Sequence, residues 1–204
     1  MDNFLLILGL TTSLFFFKEC QCERNLFPNL PVGEFRFKFK VAFKCNTSTN
    51  YKIDLNLHQS KVSKNKILLV GNIDLQIPFD DLLSADVNVA VMDKIGGWKD
   101  NAFIYNTKNA CSTIKSKWNE GWIVFIKSSN ISDNSCPIKA NNYVVSNLDV
   151  DEFFVKLQKT NIFVPKTFFY GSYKLRLAIK STGSSAIVGC LIIIVDIVRP
   201  WEYF

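Results

Sequence analysis

From Phe35 to Cys45 the chain alternates apolar and mostly basic residues over eleven positions: Phe35, Phe37, Phe39, Val41 and Phe43 against Arg36, Lys38, Lys40 and Lys44. Successive side chains of a strand point to opposite faces, so this period of two predicts a strand with one face in a core and the other in water. The same pattern returns at Tyr51, Ile53, Leu55 and Leu57 against Lys52, Asp54, Asn56 and His58. It returns again at Tyr173, Leu175, Leu177 and Ile179 against Lys174, Arg176, Ala178 and Lys180. Antiparallel sheets with one wetted face carry this signature.

Residues 66–77, 86–92, 122–127 and 186–198 are rich in β-branched side chains and bounded by turn formers such as Gly71, Pro78, Gly96 and Gly97. They bring the expectation to about seven or eight strands and the class to an all-β, two-sheet sandwich. Two stretches fit this less cleanly. Residues 106–118 lack alternation, and the spacing of Ala110, Ile114 and Trp118 suits a short helix. In 151–159, Phe153, Phe154 and Leu157 suit a helical face, whereas Phe153, Val155 and Leu157 suit a strand. The apolar run 186–198 is too short to span a bilayer and contains Asp196, so it reads as a central strand.

Residues 4–17 form an apolar stretch, and Cys20 and Cys22 supply small residues at the −3 and −1 positions of a cleavage site. This predicts a secretory signal peptide over 1–22 and a single mature domain over 23–204. Loss of Asp2, Lys18 and Glu19 with that leader takes the formal charge from +6 to +7, which favours anionic partners. Cys45, Cys111, Cys136 and Cys190 remain, an even number in an oxidising compartment, so two disulfides are expected, and counting leaves three connectivities open. Zinc is the rival use of four cysteines. Here they are widely spread without a C-x-x-C pair, and His58 is the single histidine, so no metal is expected.

Towards the end of the chain, Cys136-Pro137-Ile138, Tyr143, Pro165, Gly171-Ser172-Tyr173-Lys174 and Gly189-Cys190 lead into the apolar run from Leu191 to Val195. This order resembles the closing part of the ML lipid-recognition family, in particular the ganglioside activator and the insect chemosensory proteins of the CheB type. Phe43-Lys44-Cys45 before a polar turn resembles the family's early cysteine. Gly97-Trp98-Lys99, Phe103, Tyr105 and Asn109-Ala110-Cys111 resemble the middle of the CheB-type group. The chain departs from the ganglioside activator in having too few cysteines for that protein's additional disulfides.

The resemblance implies an immunoglobulin-like β-sandwich, the ML β-cup, with its sheets splayed around an internal lipid cavity. It selects Cys45–Cys190 and Cys111–Cys136 as the disulfides. With 18 Phe in the chain, it places the ligand-binding lining at Phe39, Val41, Phe43, Leu55, Phe163, Phe168, Phe169, Tyr170, Tyr173 and Leu175, with Phe168 and Phe169 at the rim. It implies a secreted, non-catalytic protein without a cofactor, whose partner is a lipid or other hydrophobic small molecule such as a cuticular hydrocarbon or pheromone. A membrane surface or a receptor is the further partner expected, with Lys166, Lys174 and Arg176 near the opening. The competing expectation is an extracellular interaction module with a closed core.

Asn46-Thr47-Ser48 and Asn130-Ile131-Ser132 are sequons in expected loops, so Asn46 and Asn130 are candidate glycosylation sites. No phosphate-cradling glycine loop or nucleophile elbow occurs, and the Asp80-Asp81 and Asp149/Asp151 pairs fall in turns, where Asp serves the backbone. His58 belongs to the outer parity of its strand, and no catalytic residue is expected. The basic residues are spread along alternating strands, outside any nucleic-acid-binding motif, so nucleic acid is not expected as a partner.

Overall fold

The computed structural model describes residues 30–63, 66–159, 165–184 and 186–202, so the expected leader and Phe163 lie outside the described residues. The elements run β1 (Val32–Gly33), β2 (Arg36–Lys44), β3 (Ile53–Ser63), β4 (Lys66–Leu75), β5 (Leu83–Met92) and β6 (Trp98–Thr107), then α1 (Ala110–Trp118) and α2 (Glu120–Ser128). They continue with β7 (Asn141–Asp149), α3 (Val150–Lys159), β8 (Phe168–Phe169), β9 (Gly171–Ser181) and β10 (Ile187–Val198). One sheet has five strands in the order β2-β10-β9-β5-β6 and another has three in the order β3-β4-β7. All pairs are antiparallel, and β1 pairs with β8 as a short separate ribbon. The fold is an all-β sandwich. Its core is shared by the inner faces of the two sheets, with Phe39, Ile53, Ile73, Leu75, Val145, Ile179, Leu191 and Val195 all buried.

The long alternation at the start of the chain forms β2, with one break. Ile194 of β10 faces Val41 whereas Val195 faces Phe39, leaving Lys40 as an extra residue on β2. Such a bulge reverses the parity of everything beyond it. Phe35 and Phe39 are therefore buried, but Ala42 takes the next inward place and Phe43 is 42% exposed. The Lys40 carbonyl accepts a hydrogen bond from the Gln59 side chain at 2.5 Å. The Lys40 ammonium lies 2.8 Å from Asp196.

Residues 122–127, expected as a strand, belong to helix α2 instead. A short unbroken apolar run does not discriminate between a buried strand and a buried helix. Helical spacing places Trp122 and Ile126 together inside, while Ile123 is 54% exposed. The Trp122 indole N–H donates to the Asn134 carbonyl at 3.1 Å. The helical alternative holds for 151–159, where α3 packs against α2 and reaches β2, β4 and β7. Residues 106–118 divide between the end of β6 and α1. Strands β6 and β7 were not expected, because β6 is almost entirely exposed and β7 alternates only weakly.

Asp149 fixes the start of α3. Its carboxylate accepts from the amides of Asp151 and Glu152, each at 3.1 Å, and pairs with Lys66 at 3.1 Å. Burial acts to raise this carboxyl. The Glu152 amide, the Lys66 ammonium and the Asp151 amide outweigh it and hold the group below the ordinary carboxylate range. Its contribution is thus complete above the unfolded carboxyl value of about 3.9 and is lost as pH falls through the lower folded value. Asp149→Ala is expected to cost about 1–2 kcal/mol at neutral pH, with the gap from the parent chain narrowing below about pH 4. Urea midpoints of the two proteins at neutral and acid pH measure this. A gap that does not change with pH would remove the carboxylate from the cap.

Candidate functional site

Along the inner face of the five-stranded sheet the space above its side chains widens in one direction. At one end the layers touch. A Cβ added at Gly189 of β10 would stand 2.9 Å from the Ile53 carbonyl oxygen and 3.0 Å from the Ile53 Cβ, so only glycine admits this approach. Beside it, Cys190 is bonded to Cys45. Further along, Leu177 and Ile179 of β9 face Ile53, Leu55 and Trp122 across a small apolar void of about 70 Å³.

At the far end an apolar cavity of about 610 Å³ opens over the five-stranded sheet. Its described lining comes from that sheet and from residues 165–169 and takes nothing from β3, β4 or β7, so it does not lie between the two sheets as the resemblance implies. Val87, Val89 and Val91 of β5, Tyr173 and Leu175 of β9, and Val195 and Ile197 of β10 form its floor. Register explains the grouping: Val87 pairs with Leu177, Val89 with Leu175 and Val91 with Tyr173, while Val195 pairs with Tyr173. Strand parity therefore projects them from one face. Phe37, Ala102 and Phe103 line the flanks, and Pro165, Phe168 and Phe169 close over the top. Phe169 and Phe103 are 61% and 52% exposed, which places them at the mouth.

The closing segment is held from below. Phe168 packs between the rings of Phe35 and Tyr173, at 5.6 and 5.3 Å between centroids. These contacts extend a chain of rings through Phe37, Phe154 and Phe153 to Trp118 of α1. The Phe37–Phe154 pair is stacked at 4.7 Å. Edge-to-face and offset rings add attraction beyond their buried area, so the helices brace the strap over the cavity. The Tyr173 hydroxyl donates to the Phe169 carbonyl at 3.0 Å and ties the strap to the floor.

Of the sequence-predicted lining residues, Phe168, Phe169, Tyr173 and Leu175 come together around this cavity. Leu55 lines the smaller void and Phe39 lies in the packed core. Val41 and Phe43 stand on the opposite face of the sheet, beyond the Lys40 bulge. Tyr170 turns away: its hydroxyl donates to the Glu34 carbonyl at 2.9 Å and Arg199 covers its ring at 4.5 Å. Phe37, Val87, Val89, Val91, Ala102, Phe103, Pro165, Val195 and Ile197 complete the described lining and were not among the expected lining residues. Their signal was present for the three valines, which alternate along β5.

The disulfides join Cys45 to Cys190 and Cys111 to Cys136, the pairs that the resemblance implies. Lys174 lies on the outer parity, 3.3 Å from Asp100 and 5.2 Å from the Trp98 ring centre, so it does not face the cavity. His58 is exposed. Among the described residues no three His, Cys, Asp or Glu side chains are grouped to hold a metal, and no helix is long and apolar enough to cross a membrane.

A search of curated proteins found no match. A profile of the ML domain matches residues 36–197, from the first residue of β2 to the penultimate residue of β10. That span holds both sheets, both disulfides and the cavity, in a family of lipid-recognition modules: the chain belongs to the ML domain family.

Proposed function

We propose that this chain is a secreted, non-catalytic protein that holds a hydrophobic ligand between the inner face of its five-stranded sheet and the closing segment of residues 165–169. The apolar cavity of about 610 Å³ carries this reading. It falls within the roughly 300–1,000 Å³ of ligand pockets and is far larger than the voids of a packed core. ML domains are typically non-catalytic lipid-binding modules, which agrees with it. Affinity would arise from burying hydrocarbon, at about 0.8 kcal/mol for each CH₂ removed from water. Secretion is supported by the leader-like 1–22 segment and by two disulfides, which persist in oxidising compartments. Asn46 and Asn130 are both exposed and are the proposed glycan sites. The CheB-type resemblance of Gly97-Trp98-Lys99 and Asn109-Ala110-Cys111 extends the proposal to chemosensation, with a cuticular hydrocarbon or pheromone as the ligand.

Mass spectrometry of lipids extracted from the natively secreted protein tests the reading. A stoichiometric long-chain species is expected, and an empty protein that takes up no long-chain lipid would sink it. Phe169→Asp should weaken uptake about tenfold, because a carboxylate at the mouth opposes entry of apolar chains, while the urea midpoint stays unchanged. Unchanged uptake would move the mouth elsewhere.

The second reading is a presenter that shows its ligand to a receptor, an enzyme or a membrane surface. The outer face favours it: Phe43 pairs with Ile192 and Val41 with Ile194, forming an apolar patch beside Lys174 and Arg176. If Phe43→Ser abolishes transfer of a bound lipid to acceptor vesicles or a partner without altering uptake, the presenter role stands. Equal transfer would leave a carrier.

A further inference from the structure

We infer that the cavity selects uncharged chains without an ionised head group, an inference that rests on the cavity being the ligand site. Among the described residues, every lining side chain is apolar except Tyr173. The phenolic hydrogen of Tyr173 is already given to the Phe169 carbonyl at 3.0 Å, and burial pushes the phenol up, so it stays neutral. The described lining therefore offers a carboxylate or phosphate no cation and no uncommitted side-chain donor.

Strand parity removes the nearest cations of the floor. Lys174 and Arg176 alternate with Tyr173 and Leu175, and face outward opposite Ile194 and Ile192. Lys174 is further engaged by Asp100 and the Trp98 ring. Beyond the closing segment, Glu34, Arg36, Gln158 and Lys166 line a separate polar hollow of about 400 Å³ that shares only Pro165 with the cavity. Its charged groups, Glu34, Arg36 and Lys166, are absent from the described lining of the cavity. An ionised group drawn in with its chain loses water and gains no partner, which penalises a fatty acid against an uncharged chain of the same length.

Displacement of a neutral naphthylamine fluorophore from the purified, disulfide-bonded protein tests this. Three competitors of equal chain length are compared: an alkene, a fatty acid methyl ester and the free fatty acid. The alkene and ester should displace the probe, and the acid should be at least about tenfold weaker at neutral pH. That deficit should shrink as pH falls through the acid's own pKa and the neutral form accumulates. An acid that competes as well as the ester at neutral pH overturns the inference. Loss of its binding in Lys166→Glu would then assign the head group to the polar hollow and leave the cavity reading standing. Failure of the probe and all three competitors to bind overturns the inference and the cavity reading together.

Discussion

Val89→Trp should lower the affinity for a long-chain ligand about a hundredfold and leave the protein folded. Val89 lies on the floor of the cavity and pairs with Leu175, so an indole there projects into the space a ligand would occupy. If it takes the room of about four methylenes, about 3 kcal/mol of hydrocarbon burial is lost, and each 1.4 kcal/mol is tenfold in affinity. The larger side chain enters open apolar space, so the overpacking strain that a filled core would impose is largely absent. Titration with a fluorescent lipid and a urea melt separate the two effects. A variant that melts with the parent and binds as well as the parent would exclude this cavity as the ligand site. Tryptophan at Ile192 is the control, because that position belongs to the outer face.

Removing the Cys45–Cys190 disulfide should cost more stability than any other single change. It links residues 145 apart in sequence, against 25 for Cys111–Cys136. On the chain-entropy account, these loops correspond to about 5 and about 3.5 kcal/mol respectively. Total stabilities of domains are about 5–15 kcal/mol, so the first loss brings a domain of this kind close to the unfolding threshold. Urea midpoints of Cys45→Ala with Cys190→Ala, and of Cys111→Ala with Cys136→Ala, give the comparison without leaving free thiols. A larger loss from the second pair would show that native contacts, rather than chain entropy, govern the order.

The strands were legible wherever one face is wet, because alternation records burial directly. β2, β3 and β9 announce themselves in this way, and the Gly189-Cys190 opening of β10 is just as plain. The limits have physical causes. Ile123 to Ile126 in α2 is apolar at every position, and only the surroundings of Trp122 and Ile126 decide that the run coils. In β6 almost every residue is exposed, so no burial pattern exists to be read. The Lys40 bulge leaves only Ala42, an apolar residue among the basic positions, as its mark on the alternation, yet it reverses the facing of Val41 and Phe43 and removes them from the cavity. Phe168 and Phe169 follow Pro165 in a segment dense with aromatics, and the cavity closes there.

Gly189 acts as a fulcrum. With the sheets in backbone contact at Ile53 and the Cys45–Cys190 bond alongside, the two layers can change their separation mainly by tilting about that end. Ile197 lies eight residues further along β10, about 26 Å at the usual rise of a strand. A tilt of about 5° would move it by about 2 Å, close to half the spacing of neighbouring strands, with little displacement at the fulcrum. The cavity travels with the five-stranded sheet, because its described lining belongs to that sheet and to the closing segment tied to it at Tyr173, so such a tilt alters the packed core between the layers and leaves the width of the cavity to the strap.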